Sequence, residues 1–152
     1  MVHRDGDGWV QCRCGGKHWG LHGAAGLLLL RGRTLLLQHR APWVHNGDTW
    51  GIPGGARDSH ETILEAALRE AVEETGIDPD LVTIHRMVHD DHEDWRYDTV
   101  IATASPELVP HEMNDESQEL LWVPWQDVDS MQLHPSFAKT WPRVHAILEA
   151  DF

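Results

Sequence analysis

The stretch L-R-E-A-V-E-E-T-G-I, residues 68–77, crowds three glutamates onto a segment with helical character. Glu70, Glu73 and Glu74 are neighbours on a helix surface, where like charges cost a few tenths of a kcal/mol. Two carboxylates about 4 Å apart repel by about 1 kcal/mol in water and about 4 kcal/mol at a protein surface. Mg²⁺ would offset this repulsion, because it prefers carboxylate oxygens and also accepts substrate phosphate. A solvated acidic face is the other interpretation, and the helix alone does not decide between them.

Start and stop signals predict this helix over residues 63–75. Thr62 and Glu65 have the spacing of a capping box, and Gly76 followed by Pro79 is typical of a helix C-terminus. On a helical wheel the three glutamates share one arc with the small Ala66, and we expect Glu65 and Arg69 to pair on another side. The face expected to pack on a sheet consists of Leu64, Leu68, Ala71, Val72 and Thr75.

The residues before the helix favour the cation. Gly54 and Gly55 permit close backbone approach, and Glu61 precedes the helix cap. From Gly55 the pattern reads G-x5-E-x7-R-E-A-x-E-E-x-G-I, which resembles the Nudix box of the Nudix (MutT-like) hydrolases. Ala71 stands where a bulkier aliphatic residue is usual. The segments LLLQHRAP, WGIPGG and ELLWVPWQDV also resemble that family, so the resemblance covers most of residues 23–130.

The resemblance implies a fold, a reaction and a set of site residues. The fold would be α+β, an α/β/α sandwich around a mixed β-sheet. The reaction would be hydrolysis of a diphosphate linkage in a nucleoside diphosphate joined to a group X, with Mg²⁺ or Mn²⁺. The implied metal ligands are Glu70, Glu73, Glu74 and the main-chain carbonyl of Gly54. Glu70 would also accept the proton of the attacking water, Arg69 would orient the glutamates, and Glu61 would assist from outside.

Two other functions share this fold. A non-catalytic sensor of a nucleotide metabolite is the alternative to an enzyme, but such proteins usually have a degraded box, whereas Arg69 and all three glutamates are present here. Isopentenyl diphosphate isomerase needs a catalytic cysteine inside the core fold. Both cysteines of this chain lie in its first 22 residues, which argues against the isomerase.

Side chains outside the box could recognise the substrate. Arg40 matches a position that contacts phosphate in some relatives, or it is a surface charge at a strand end. The aromatic candidates for stacking on a base are Trp43, Trp50 and Trp95, although most of the eight tryptophans must serve packing. The acidic candidates for a further carboxylate are Glu116 and Glu119, for which an ordinary acidic loop is the other interpretation.

The N-terminal segment contains a second candidate metal site. Its pattern, C-x-C-x3-H-x3-H, is formed by Cys12, Cys14, His18 and His22. Thiolate and imidazole are ligands of Zn²⁺. The spacing matches no standard zinc finger, so a reduced loop without metal stays open.

The rest of the chain divides into an irregular N-terminal segment, residues 1–22, and one domain, residues 23–152. Strands are predicted at 24–30, 34–40, 49–55, 81–89, 97–104 and 120–125, with a polar loop over 106–119. Phe137, Trp141, Val144 and Leu148 have helical spacing and indicate a helix packed on the core, with a start or kink at Pro142.

Bulk properties limit the partners. The formal charge of −13, from 12 basic and 25 acidic residues, argues against binding a nucleic-acid polymer. The longest apolar run, residues 23–30, is far shorter than the roughly 20 residues of a membrane span, and no secretion signal is recognisable. We therefore expect a cytoplasmic protein with a small nucleoside diphosphate derivative as its partner, and leave a homodimer open.

Overall fold

The computed structural model describes residues 4–112 and 117–152. In these ranges the chain forms a helix–sheet–helix sandwich, which confirms the predicted α+β fold. A small hairpin precedes the sandwich. The hairpin consists of β1 (Trp9–Gln11) and β2 (Lys17–Trp19). The remaining strands are β3 (Ala24–Arg31), β4 (Thr34–Arg40), β5 (Trp50–Gly51), β6 (Gly54–Ala56), β7 (Val82–Asp91), β8 (Arg96–Ala104) and β9 (Ser117–Pro124). The helices are α1 (Ile63–Thr75) and α2 (Pro135–Asp151), with 3₁₀ turns at Pro79–Leu81 and Trp125–Ser130.

Strand β3 lies at the centre of a mixed sheet with the order β5-β4-β3-β8-β7. It runs parallel to β8, from the pair Ala24 and Tyr97 to the pair Leu30 and Thr103, whereas the other pairings are antiparallel. Its opposite edge is shared, because β6 pairs with residues 24–26 and β4 pairs only with residues 30–31. Strand β4 then turns away to pair with β9.

Both faces of β3 are buried, which explains its continuous run of leucines. Leu28 and Leu30 belong to the core under α2, together with Phe137, Trp141 and Leu148. Leu27 and Leu29 point to the opposite face, under α1. Alternate residues of one strand therefore fill two separate cores, as expected for a strand covered on both sides.

Helix α1 has the predicted bounds and capping box, but its buried face differs from the prediction. The hydroxyl of Thr62 accepts the main-chain N–H of Glu65, whose carboxylate accepts the N–H of Thr62. The fully buried side chains are Ala66, Ala67, Ala71 and Thr75, whereas Leu64, Leu68 and Val72 are only half-buried. Small side chains on this face let the helix approach a sheet surface that leucines already fill.

Four segments depart from the predicted elements. The single strand predicted at 49–55 is divided into β5, which pairs with β4, and β6, which pairs with β3. The N-terminal segment, expected to be irregular, contains the β1–β2 hairpin, and β9 begins at Ser117 instead of residue 120. Helix α2 begins at Pro135, so Pro142 lies inside it. We attribute the earlier start to Phe137 and Trp141, whose burial offsets the hydrogen bond that Pro142 cannot donate. Among the described residues, no helix is long and apolar enough to cross a membrane.

His134 caps α2 from a half-buried position. Its Nδ1 accepts the main-chain N–H of Ser136 at 3.2 Å, and its Nε2 lies 3.3 Å from the side-chain nitrogen of Asn46. Burial, helped by the nearby charges of Arg40 and His45, lowers the pKa of His134 from 6.5 to about 4. The folded protein therefore holds this imidazole neutral.

This histidine should make the fold sensitive to acid. The unfolded chain takes up the proton near pH 6.5 and the folded chain only near pH 4, so stability is lost as the pH falls between these values, by about 3 kcal/mol at most. We expect His134→Asn, which keeps a capping side chain but does not titrate, to lose less unfolding free energy over this range than the wild type, measured by urea unfolding. The exposed His85, changed to Asn, should behave as the wild type does. If the unfolding free energies of wild type and His134→Asn changed equally with pH, a lowered pKa of His134 in the folded state would be contradicted.

Candidate active site

Two glycines bring the backbone of β6 against α1 and β3. A Cβ atom added to Gly54 would lie 2.6 Å from the main-chain oxygen of Ala25, and one added to Gly55 would lie 2.6 Å from Cδ of Glu70. At Gly54 the close atoms belong to the backbone and cannot give way, so space requires glycine there, whereas at Gly55 an added side chain would have to push the Glu70 carboxylate aside. The carboxylate of Glu70 consequently lies directly against the backbone of β6.

Arg69 is the centre of the ion pairs at this position. Its Nε and Nη2 donate to the two carboxylate oxygens of Glu61 at 2.6 and 2.8 Å, in a bidentate arrangement. Its Nη1 donates to Glu70 at 2.9 Å, and its Nη2 also donates to the main-chain oxygen of Ala56 at 3.1 Å. The expected pairing with Glu65 is wrong, because the capping box engages that carboxylate. Arg69 thus joins the loop before α1 to the helix itself.

Glu61 is held in the charged state. Only 9% of the residue is exposed, and its carboxylate also accepts the main-chain N–H of Asp58 at 2.9 Å. The hydrogen bonds from Arg69 lower the pKa of Glu61 in spite of burial, and the same contacts raise the pKa of Arg69. Glu61 therefore lies behind Arg69, and the supporting role that the sequence predicts for it stays a prediction.

Glu74 and Glu70 form a pair of partly buried carboxylates. Glu74 accepts the main-chain N–H of Gly54 at 3.0 Å and the side-chain amide of Gln38 at 3.4 Å. Burial, and then the negative charge of Glu70, raises the pKa of Glu74 well above 4.5. Burial also raises the pKa of Glu70, although Arg69 opposes this effect. Both groups therefore favour the uptake of a proton or of a cation.

Glu73 lies apart from these two carboxylates. It is exposed, and its oxygens contact Arg4 at 2.7 Å and Arg69 at 3.4 Å. Within residues 4–112 and 117–152, the three glutamates do not form a group with ligand atoms all within 4.8 Å of one another. The structure thus brings Glu70 and Glu74 together beside Gly54, while two guanidinium groups hold Glu73 on the outer side.

Sequence reasoning missed three residues of this site. Arg4 approaches from the N-terminal segment and also contacts Asp58 at 3.3 Å. Gln38 donates to Glu74, and only its place at the polar end of a leucine-rich strand hints at this. The hydroxyl of Tyr97 lies beside Gly54, and burial together with Glu74 and Glu70 raises its pKa. No pattern in the sequence marks Tyr97.

The predicted substrate contacts have different surroundings. Arg40 donates to the main-chain oxygen of His45 at 2.9 and 3.2 Å, and Trp50 stacks on His39 with ring centroids 4.6 Å apart. Trp43 is 69% exposed, whereas Trp95 is buried against His18 and is closed to a base.

The two acidic candidates also differ from the expectation. Glu119 belongs to β9, opposite His39, and not to a loop. Glu116 lies outside the described residues. Arg40, Trp50 and Glu116 therefore stay predictions as substrate-binding residues.

The candidate zinc ligands are only partly brought together. Cys12, Cys14 and His18 have ligand atoms within 4.8 Å of one another. His22 does not join this group, so the predicted four-ligand set is wrong at that position. The chain turns at Gly20 and Gly23, both with positive φ, and the carbonyl of His22 accepts a hydrogen bond from Arg57.

A comparison with protein families decides the family. The family model described as NUDIX domain matches residues 20–144. The chain belongs to the Nudix hydrolase family. By class it is a pyrophosphohydrolase that acts on a small molecule.

Relatives and solved structures agree with this assignment. The chain is 46% identical to the putative 8-oxo-dGTP diphosphatase 3 of Mycobacterium tuberculosis, over 95% of this chain and 71% of that protein. It is 44% identical to a nucleoside triphosphate pyrophosphatase/Nudix hydrolase fusion protein of Bifidobacterium longum, over 97% of this chain but only 33% of the fusion protein. The crystal structure of the Nudix hydrolase RenU from M. smegmatis superposes with a TM-score of 0.86 and 44% identity, covering 97% and 98% of the two chains.

The ion pair between Arg69 and Glu61 should contribute strongly to stability. Their side chains are 17% and 8% exposed, and removing one member leaves the other charge buried, which costs about 3–5 kcal/mol. We expect Arg69→Met to lower the free energy of unfolding at neutral pH by this amount. The difference should narrow in acid, because Arg69 lowers the pKa of Glu61 and so stabilises the fold only while Glu61 is ionised.

A variant of an exposed ion pair shows how much of the loss of stability depends on burial of the pair. Arg86 pairs with Asp151 at 2.8 Å, but both side chains are about half exposed, so Arg86→Met should cost about 1 kcal/mol or less. Adding Glu61→Gln to Arg69→Met removes the stranded charge and should restore part of the lost stability in urea unfolding. Equal losses for Arg69→Met and Arg86→Met would contradict the structural role of the buried pair.

Proposed function

We propose that this protein hydrolyses the diphosphate linkage of a nucleoside diphosphate joined to a group X, with Mg²⁺ or Mn²⁺ bound by the glutamates of α1. The observation that carries the proposal is the pair of partly buried carboxylates, Glu70 and Glu74, at the close approach of Gly54 and Gly55. Burial raises the pKa values of both carboxylates, and the negative charge of Glu70 adds to the effect at Glu74. A site that binds a divalent cation and a phosphorylated substrate has this property.

The residues present fit such a cation. Glu70 and Glu74 are hard oxygen ligands, and the space that a Cβ atom of Gly55 would fill is free for a close contact with Glu70. The main-chain carbonyl of Gly54 would be the third ligand, and Glu73 would join after releasing Arg4. When bound, the cation neutralises the diphosphate and lowers the pKa of a coordinated water.

The protein's own groups have separate roles in this proposal. Glu70 accepts the proton of the attacking water at its carboxylate, and burial prepares it by raising its pKa. Arg69 keeps Glu70 in place, since one of its nitrogens donates to that carboxylate while the others are fixed by Glu61. Glu61 therefore positions the base through Arg69.

The names of relatives suggest which substrates to test first. The M. tuberculosis relative is named as a putative 8-oxo-dGTP diphosphatase, so we propose a purine nucleoside triphosphate as the first candidate, with phosphate as the group X. Water would add to one phosphorus and the bridging oxygen would leave with the other. Arg40, at the end of β4, is proposed to contact the phosphates, and Trp50 and Glu116 are the proposed contacts elsewhere on the substrate.

A nucleotide panel tests this function directly. The panel contains 8-oxo-dGTP, dGTP, ADP-ribose, a dinucleoside polyphosphate, a sugar nucleotide and NADH, each with and without Mg²⁺ or Mn²⁺. We expect release of a nucleoside monophosphate only with metal, and ¹⁸O-labelled water will show which phosphorus is attacked. Tight binding without release under any metal would instead establish the non-catalytic sensor.

Two substitutions test the carboxylates. Glu70→Gln and Glu74→Gln should each abolish metal-dependent turnover, because an amide neither accepts the proton nor supplies the charge. Their far-ultraviolet circular dichroism should match that of the wild type. Glu65→Gln is the control on the same helix, since Gln also closes a capping box, and it should keep full activity. Near-wild-type turnover in both site variants would refute the assignment.

The glycine contact gives a second, geometric test. Gly55→Ala places a methyl group 2.6 Å from Cδ of Glu70, so this carboxylate must move, and a displacement of this size can cost about 100-fold in rate. Gly51→Ala is the control, because its added methyl would meet Cβ of His134 at an ordinary 3.5 Å. We expect kcat to fall in Gly55→Ala and not in Gly51→Ala. Equal rates in the two variants would mean that the close approach is irrelevant to turnover.

A further inference from the structure

The β1–β2 hairpin contains a group of soft ligands that the proposed reaction does not use. Sγ of Cys14 lies 3.1 Å from Nε2 of His18, and the main-chain N–H of Cys14 donates to Sγ of Cys12 at 3.4 Å. The three ligand atoms lie within 4.8 Å of one another. In tetrahedral zinc sites, Zn–S bonds of about 2.3 Å and Zn–N bonds of about 2.0 Å place ligand atoms about 3.5–3.8 Å apart. Small side-chain rotations would reach that geometry.

A tight turn holds the two cysteines on the same side. The main-chain N–H of Gly15 donates to the carbonyl of Cys12 at 3.1 Å, and the N–H of Cys12 donates to the carbonyl of Gly16 at 3.0 Å. Gly15 has a φ of 94°, which favours glycine. The backbone therefore keeps both thiols facing His18, independently of any metal.

Residues from the tip of the β7–β8 hairpin fix this group from the other side. His18 stacks on Trp95 with ring centroids 4.4 Å apart and planes 7° apart, so its ring cannot turn freely. Arg13 binds Asp94 through its main-chain N–H at 2.7 Å and its Nε at 2.9 Å. Cys12 is 4% exposed, and its thiol donates to the main-chain oxygen of His92. The ligands are thus assembled at a contact between two hairpins.

We propose that Cys12, Cys14 and His18 bind one Zn²⁺ that fastens the β1–β2 hairpin to the tip of β7–β8. Two thiolates and an imidazole are soft ligands that select zinc, and they differ chemically from the carboxylate site, which suits Mg²⁺. As the metal binds, the two thiols lose their protons to solvent and the hydrogen bond of Cys12 to His92 is given up.

His92, in the second hairpin, is a candidate for the fourth ligand. The imidazole of His92 lies beside that of His18, with ring centroids 4.7 Å apart, and its Nε2 is 3.2 Å from Asp90. A carboxylate behind a histidine is the usual support of a metal-binding imidazole. Either this ring or a water completes the site.

Metal content is the primary test. Protein purified under reducing conditions without chelator should contain one zinc ion per chain, measured by inductively coupled plasma mass spectrometry. Cys14→Ser and His18→Asn should lose it, and both change residues that are not deeply buried. His22→Asn is the matched control, because this histidine lies in the same segment but outside the group of ligands. A Glu70→Gln/Glu74→Gln double variant should retain the zinc, which separates this site from the carboxylates of α1.

Cobalt gives a second readout that does not depend on activity. Co²⁺ added to the zinc-free wild type should produce a thiolate-to-metal charge-transfer band, absent from Cys14→Ser, and should raise the melting temperature. A metal-free protein with both thiols titratable, or a Cys12–Cys14 disulfide found by intact mass, would overturn the proposal. Zinc lost from the double glutamate variant but kept by Cys14→Ser would overturn it as well.

Discussion

The bidentate ion pair between Arg69 and Glu61 is the interaction on which the geometry of the site depends. It joins the loop after β6 to the middle of α1, so the glycine-rich backbone and the carboxylates keep one relative position. A guanidinium suits this task because its planar fork matches both carboxylate oxygens. Its third nitrogen reaches Glu70, which couples the position of the proposed base to a contact buried behind it. Rigidity here comes from charge pairing, since the glycines themselves contribute none.

The site contains more carboxylates than guanidinium groups, and the carboxylates differ in whether a guanidinium group contacts them. Arg69 forms an ion pair with the inner carboxylate of Glu70, and Arg4 forms one with Glu73 on the outside. Glu74 has no guanidinium among its described hydrogen-bond partners and relies on a main-chain N–H and an amide. The excess of negative charge is therefore greatest at Glu74, next to Gly54. A small cation gains most at that position.

Local features of α1 could be predicted from the sequence because they depend on near neighbours. The capping box, the helix bounds and the spacing of the glutamates all follow from residues within a few positions of one another. Arg4, Gln38 and Tyr97 could not be found this way, since each reaches the site from a distant part of the chain. The helical wheel correctly placed Ala71 and Thr75 on the buried face but also placed Leu64, Leu68 and Val72 there. Because the sheet is already filled with leucine, the fully buried positions of the helix are instead completed by Ala66 and Ala67.

The N-terminal segment illustrates the same limit. The sequence marks four candidate ligands within eleven residues, but the positive φ angles at Gly20 and Gly23 redirect the chain before and after His22. The tip of β7–β8 then contributes His92 and Trp95 to the cluster, from more than seventy positions away along the chain. Spacing alone carries no information about such a contact. The spacing of candidate ligands in the sequence therefore does not predict which of them meet, because the turns between them decide this.

The parallel pairing of β3 with β8 also determines when this protein can fold. Residues 24–30 of β3 pair with residues 97–103 of β8. Until β8 has been synthesised, the central strand therefore has no partner along one whole edge. Its four consecutive leucines, Leu27–Leu30, form a strand of the kind that aggregates when it is exposed. On the ribosome, β4 and β6 are the earliest strands that can cover part of the other edge. Because β6 pairs only with residues 24–26 and β4 only with residues 30–31, most of the leucine run stays without a paired strand until β8 has been made.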